Sequence, residues 1–136
     1  MEYKPTASSA IEFAKADKLE EWIHLFFCGE GNNKPFSEGL KLKPRKFHAP
    51  EMISLGTIKR DCGPEEGMKW RIDENNFNIK INGIIKRYLK NDWDMPPLIV
   101  RYDGISFELN DGNHRYEALV RLKIDKYWVI FWEPDI

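Results

Sequence analysis

Apolar side chains recur along this chain with two periods. From Phe77 onward, Ile81, Ile84, Ile85, Tyr88 and Leu89 follow at four, seven, eight, eleven and twelve positions. That spacing is the stripe of an amphipathic helix. Asp73 or Asn75 can cap its start. Lys80, Lys86, Arg87 and Lys90 occupy the other face, and Asn91, Asp92, Pro96 and Pro97 end it. Gly83, inside the helix, costs about 1 kcal/mol relative to alanine and is expected to admit a closely packed neighbour. An earlier helix is predicted over residues 10–27, about 9–28 with its caps, with Ser8 or Ser9 at the N-cap. Its apolar positions are Ile11, Ala14, Leu19, Trp22, Ile23, Phe26 and Phe27, and Gly29 and Gly31 stop it. His24 on this helix reads as a surface or boundary histidine.

Further on the period falls to two. Leu98, Ile99, Val100, Arg101 and Tyr102 form a β-rich strand, and Asp103-Gly104 is a hairpin turn dipeptide. Residues 105–109 then alternate apolar and polar as a half-buried returning strand. A tight turn leads into a helix that buries Ala118, Leu119 and Leu122. Residues 126–132 close the chain as a strand, with Trp128 and Trp132 expected on one core-facing side. Residues 52–58 read as one or two short strand pieces and 59–67 as turn-rich, an ordinary acidic loop whose Asp61, Glu65 and Glu66 could supply an acidic group to a site. Residues 32–50 read as a long irregular loop, punctuated by Pro35, Gly39, Pro44 and Pro50. This loop carries Lys34, Lys41, Lys43, Arg45 and Lys46, either as a solvated face or as a phosphate-contacting arm.

A chain of 136 residues fits one domain, 1–136, with no internal repeat. Eight Phe, five Trp and five Tyr demand a real core and argue against disorder. The formal net charge of -1 does not favour a nucleic-acid or membrane partner, although the basic loop leaves room for DNA binding. Cys28 and Cys62 lack metal-type spacing and read as one buried thiol and one loop thiol. No metal-ligand motif is present. The first residues lack a signal-peptide pattern and no stretch has membrane-spanning length, so a cytoplasmic location is the default expectation.

The chemistry concentrates at Asp111, Gly112, Asn113, His114 and Arg115, an acid, a glycine, an amide, an imidazole and a guanidinium in succession. They sit between a strand and a helix start, where unpartnered N–H groups and the helix dipole favour an anion. Arg115 can fork onto a phosphate. Arg101, on the neighbouring strand, can add a second positive group. Tyr116 reads as packing.

Pro97-Leu98-Ile99-Val100-Arg101 resembles the Pro-Ile-x-Val-Arg segment of the N-terminal domain of ParB partitioning proteins. Gly112-Asn113-His114-Arg115-Tyr116-Glu117-Ala118 resembles that family's Gly-Glu-Arg-Arg-x-x-Ala box, and more closely the Gly-Cys-His-Arg box of sulfiredoxins. The Asp-Gly-x-His-Arg form is similar to that of the free-serine kinases of the same superfamily. The match runs over residues 76–132, with the strand around Ile53 to Ile58 as a candidate first strand. The resemblance implies a small α+β domain, a mixed sheet with packed helices, binding a nucleoside triphosphate with Mg²⁺. It places phosphates at Arg101, Gly112, Asn113, His114 and Arg115. Asp111 and His114 would be the catalytic pair, Asp111 as general base or metal ligand and His114 as acid/base or phosphate contact.

Asn113 stands where sulfiredoxins carry the reactive thiol and partitioning proteins a glutamate. An amide replaces neither, so sulfiredoxin chemistry is not expected and hydrolysis of the partitioning-protein type is in doubt. Residues 133–136 follow the final strand, so the helix-turn-helix and dimerisation domains of a partitioning protein are not expected. Three readings follow. One is an NTPase or small-molecule kinase. The second is a DNA-binding or nuclease-type module. The third is a nucleotide sensor without turnover.

Overall fold

The computed structural model describes residues 1–91 and 93–134. Among the described residues five α-helices pack with a five-stranded mixed sheet, an α+β domain. In chain order the helices are α1 (Ala7–Lys15), α2 (Leu19–Cys28), α3 (Lys34–Lys41), α4 (Glu74–Asn91) and α5 (Asn113–Arg121). The strands are β1 (Lys46–Ser54), β2 (Ile58–Arg60), β3 (Cys62–Gly63), β4 (Trp70–Arg71), β5 (Leu98–Tyr102), β6 (Phe107–Asp111) and β7 (Lys126–Glu133).

The main sheet runs β1-β7-β5-β6-β2. β7 pairs antiparallel with β1 and parallel with β5, β5 antiparallel with β6, and β6 parallel with β2. The β5–β6 hairpin turns at Asp103-Gly104 as expected, with the Asp103 carboxylate accepting from the Ile105 and Ser106 N–H groups at 2.8 Å each. β3 and β4 form a separate two-stranded sheet.

Alternation along β5 and β7 sorts the core into two layers. Ile99, Ile130 and Trp132 pack against Phe13, Trp22, Ile23, Phe26 and Phe27 of α1 and α2. Leu98, Val100, Tyr127 and Val129 face the other way, against Met95, Leu109 and Leu119. Each such side chain, fully buried, is worth about 1.5–3 kcal/mol. A third group, Phe77, Ile81 and Ala118, welds α4 to α5. Trp132 lies in the first layer as expected. Trp128 is only half-buried and packs with the second, alongside its chain neighbours Tyr127 and Val129.

Several expectations are corrected. The single N-terminal helix is two. Phe13 and Trp22 are nine positions apart, half a turn out of phase in a continuous α-helix, so one straight helix cannot bury both. The chain re-phases at Asp17, which takes a left-handed φ of 61°. The cap is Thr6, whose side chain accepts from Ser9 N–H at 3.1 Å. The irregular loop holds α3 and the first half of β1. Asn33 caps α3 by accepting from Phe36 N–H at 3.3 Å, with Pro35 in the first turn. Pro50 falls where the β1–β7 register slips, between His48 and Glu51, which is how a strand accommodates a proline. Gly83 has open space around it, not a packed neighbour. Leu122 is half-buried, and Leu89, on the predicted stripe, is exposed. Asp73 caps α4 as expected, accepting from Asn76 N–H at 3.0 Å. Cys28 is exposed and Cys62 half-buried, both unpaired. The expected stop at Asp92 lies outside the described residues. Among the described residues no helix is long and apolar enough to cross a membrane.

Candidate functional site

β6 delivers the chain to a left-handed glycine, Gly112, with φ 102°. A side chain there would be strained, and its Cβ would lie 2.7 Å from Leu98 Cδ2 and 2.9 Å from Arg115 Nη2. From Gly112 the chain enters α5, whose first bond runs from Tyr116 N–H to Gly112 C=O at 2.7 Å. Among the described residues the N–H groups of Asn113, His114 and Arg115 have no acceptor, as expected of a first helical turn.

Two clefts meet at this turn. The first, about 460 Å³, lies between the turn, the end of α2 and one face of α4. Lys80, Gly83, Ile84 and Arg87 line it from α4, one stripe at helical spacing, and Glu30, Gly31 and Trp93 complete it. The Arg87 guanidinium rests 3.8 Å from the centre of the Trp93 ring and 3.9 Å from Glu30. Lys80 makes no ion pair among the described residues. The second cleft, about 620 Å³, opens on the other side of the turn toward Asp61, Cys62, Lys69 and Trp70.

The expected site residues divide. Asp111, Gly112 and His114 line both clefts, Arg115 the first and Asn113 the second. Arg101 lines neither; its guanidinium lies 6.0 Å from the Trp132 ring, on the helical face of the sheet. Arg115 is committed through one nitrogen: its Nη2 donates to Asp111 Oδ2 at 3.1 Å and to Pro97 C=O at 3.0 Å, while its buried Nε has no partner among the described residues. Asp111 is thereby the partner of a guanidinium, not a solvent-facing base. Asn113 is a buried strut. Its Oδ1 accepts from the N–H groups of Asp61 and Cys62, each at 3.1 Å, and its Nδ2 donates to Asp61 Oδ1 at 3.0 Å. Any contact from Asn113 to a phosphate therefore falls to its backbone N–H.

His114 packs against Phe77, ring centres 5.1 Å apart, and its Nε2 is buried without a partner. Burial, then the nearby Lys80, Arg115 and Arg60, lowers its pKa below the usual histidine value, so it is neutral at neutral pH. Tyr116 is a brace, as expected, donating to the carbonyls of Leu55 at 2.8 Å and Ile58 at 3.1 Å. Burial, then Asp61, raises the Cys62 thiol, which favours its protonated form.

Sequence reasoning passed over Lys80 as a surface lysine and named Asp61 only as one of several acids in a loop able to supply an acidic group. Lys80 and Arg87 are seven positions apart, two helical turns, and that spacing was the available signal. Nothing local set Asp61 above Glu65 and Glu66, because its partner is 52 positions away.

No protein-family model matches the chain, and no curated protein matches it. Two solved structures are similar in fold. One is a sulfiredoxin from Arabidopsis thaliana, at 20% identity and a TM-score of 0.46, covering 60% of this chain and 82% of that one. The other is a Pnob8-like ParB-N domain, at 17% identity and a TM-score of 0.44, covering 68% of this chain and 31% of that one.

Proposed function

We propose that the chain binds a nucleoside triphosphate in the first cleft, with its phosphates at the Gly112 turn. The observation that carries the reading is the meeting of the start of α5, with the unpartnered N–H groups of His114 and Arg115, and Lys80 and Arg87 of α4, in a cleft that Gly83 also lines. Backbone donors and two cations converging on one concavity is a phosphate environment. Arg115 holds the turn in shape through Asp111 and Pro97 and presents its backbone N–H. Trp93, with Arg87 stacked on it, offers an apolar wall at the far end.

Mg²⁺ fits this site only as the nucleotide's companion. Asp111 is engaged by Arg115, Glu30 lies 3.9 Å from Arg87, and no group of three or more candidate ligands occurs among the described residues. A phosphate-bound Mg²⁺ needs few protein ligands. The sensor reading is favoured over a kinase or NTPase, since Asp111 is ion-paired and the His114 Nε2 is buried.

Calorimetry with CTP, ATP, ADP and inorganic triphosphate, with and without Mg²⁺, tests the proposal. Lys80→Ala should weaken every one of them, about tenfold for the loss of one charge-assisted contact. Absence of binding by all four ligands defeats it.

A further inference from the structure

The two clefts share a wall but differ in charge. The first holds Lys80 without a counter-ion, whereas the second holds Asp61 without one. Asp61 is only 9% exposed. Its Oδ1 is fixed by Asn113 Nδ2 at 3.0 Å. Its Oδ2 has no hydrogen-bond or ion-pair partner among the described residues, although the side chain lines a cleft of about 620 Å³. The cleft's own cation, Lys69, is drawn away to Glu108 at 3.6 Å and is 62% exposed. Asp111, also on the wall, is neutralised by Arg115.

Beside this carboxylate stands Trp70, 61% exposed, an unusual surface position for so large an apolar ring. Its place is not incidental. The Trp70 N–H donates to Asp61 C=O at 2.8 Å, which pins the β4 backbone next to the acid. Arg60 anchors the loop that joins the parallel pair β3 and β4, donating to Cys62 C=O at 3.1 Å and pairing with Glu65.

We infer that the second cleft binds a small organic amine in its protonated form, with Asp61 Oδ2 as counter-charge and Trp70 as aromatic wall. A carboxylate oriented by a second residue is a charge-assisted acceptor for an ammonium group, and the face of a tryptophan attracts the same cation. An anion would meet Asp61 unscreened. A neutral alcohol would gain one ordinary hydrogen bond and no charge pairing. Burial raises the Asp61 pKa against the pull of Asn113 and Lys69, in keeping with a carboxylate that lacks its counter-charge. The site uses neither Lys80 nor Arg87 and stands apart from the nucleotide reading.

The test is calorimetric titration of the intact chain with benzylamine and with benzyl alcohol, its neutral isostere. The amine should bind at least about tenfold more tightly, the ratio one charge-assisted contact supplies. Asp61→Asn keeps the acceptor for Asn113 Nδ2 and should abolish that preference. Trp70→Ala, at an exposed position, should weaken the amine about fivefold. Lys80→Ala should leave amine binding unchanged while weakening triphosphate, so the two sites fail or hold separately. Equal binding of amine and alcohol, no binding of the amine, or an unchanged preference in folded Asp61→Asn overturns the inference. Should Asp61→Asn not fold, the wild-type ratio and the Trp70→Ala titration decide.

Discussion

Asn113→Ala is the sharpest probe of how the site is held. The substitution deletes three hydrogen bonds that tie the start of α5 to the end of β2. Their net worth is about 1 kcal/mol each, but what is left behind matters more. The Asp61 N–H is buried, the Cys62 N–H is half-buried, and the Asp61 carboxylate loses its one donor. Stranding a buried polar group costs about 1–3 kcal/mol, and water can relieve only the more accessible of these. The expected loss is about 3–4 kcal/mol, out of a total of about 5–15 for a domain. With an unfolding entropy of about 2.1 cal/mol/K per residue, 1 kcal/mol corresponds to about 3.5 °C in a chain of 136 residues. Tm should therefore fall by about 10–14 °C. Urea unfolding and calorimetry measure both quantities. Asn113→Asp is the companion: it keeps an acceptor for the two N–H groups but sets a second carboxylate against Asp61. It should be nearly as unstable as the alanine variant at neutral pH and recover in acid, where the pair shares a proton. A loss under about 1 kcal/mol in Asn113→Ala, well below the cost of stranding even one group, would refute the strut. So would identical pH behaviour of the two variants.

Gly112→Ala places a Cβ 2.7 Å from Leu98 Cδ2 at a φ of 102°, so both the backbone and its neighbour must yield. It should lose at least about 2 kcal/mol in urea unfolding, and wild-type stability would disprove the claimed close approach. His114 supplies a pH test. Its folded pKa lies below its unfolded value, chiefly through burial, so on acidification the unfolded chain takes up its proton first. The stability that His114 contributes is full above the unfolded pKa, near the usual 6.5, and declines as pH falls from there to the folded pKa. NMR titration should find the imidazole below 6.5, and His114→Phe should flatten that part of the stability profile. An imidazole titrating at or above the usual value would contradict the assigned burial.

What the sequence disclosed was local. The stripe from Phe77 to Tyr88, the Asp103-Gly104 turn and the strand ending in Trp132 each follow from a period or a turn chemistry contained in a few residues. The break at Asp17 was partly readable, since the half-turn phase error between Phe13 and Trp22 excludes a single straight helix. α3 was readable too, from Asn33 and Pro35, but lysines and Gly39 obscured an eight-residue helix. Sheet order was not readable. β2 pairs with β6 across some fifty residues, and no local pattern specifies that partner.

The site shows why residue type is a poorer guide to role than partner. Of the five consecutive residues from Asp111 to Arg115, Asp111 and Arg115 neutralise each other, and Asn113 is consumed by Asp61 and Cys62. Those three side chains shape the turn, and in the proposed reading its backbone N–H groups and Gly112 are what an anion would meet. The charges that remain unpaired in the clefts, Lys80 and Asp61, come from elsewhere in the chain and lie on opposite sides of that turn. The turn is thus a shared wall between a recess holding an unpaired cation and one holding an unpaired carboxylate, among the described residues. Such a wall can hold an anion and an ammonium close together without either neutralising the other's protein partner. That polarity rests on Asn113: with its amide gone, Asp61 is free to rotate toward Lys69. The same strut that stabilises the domain therefore keeps the second cleft acidic, and Asn113→Ala should erase the preference for benzylamine over benzyl alcohol along with the stability.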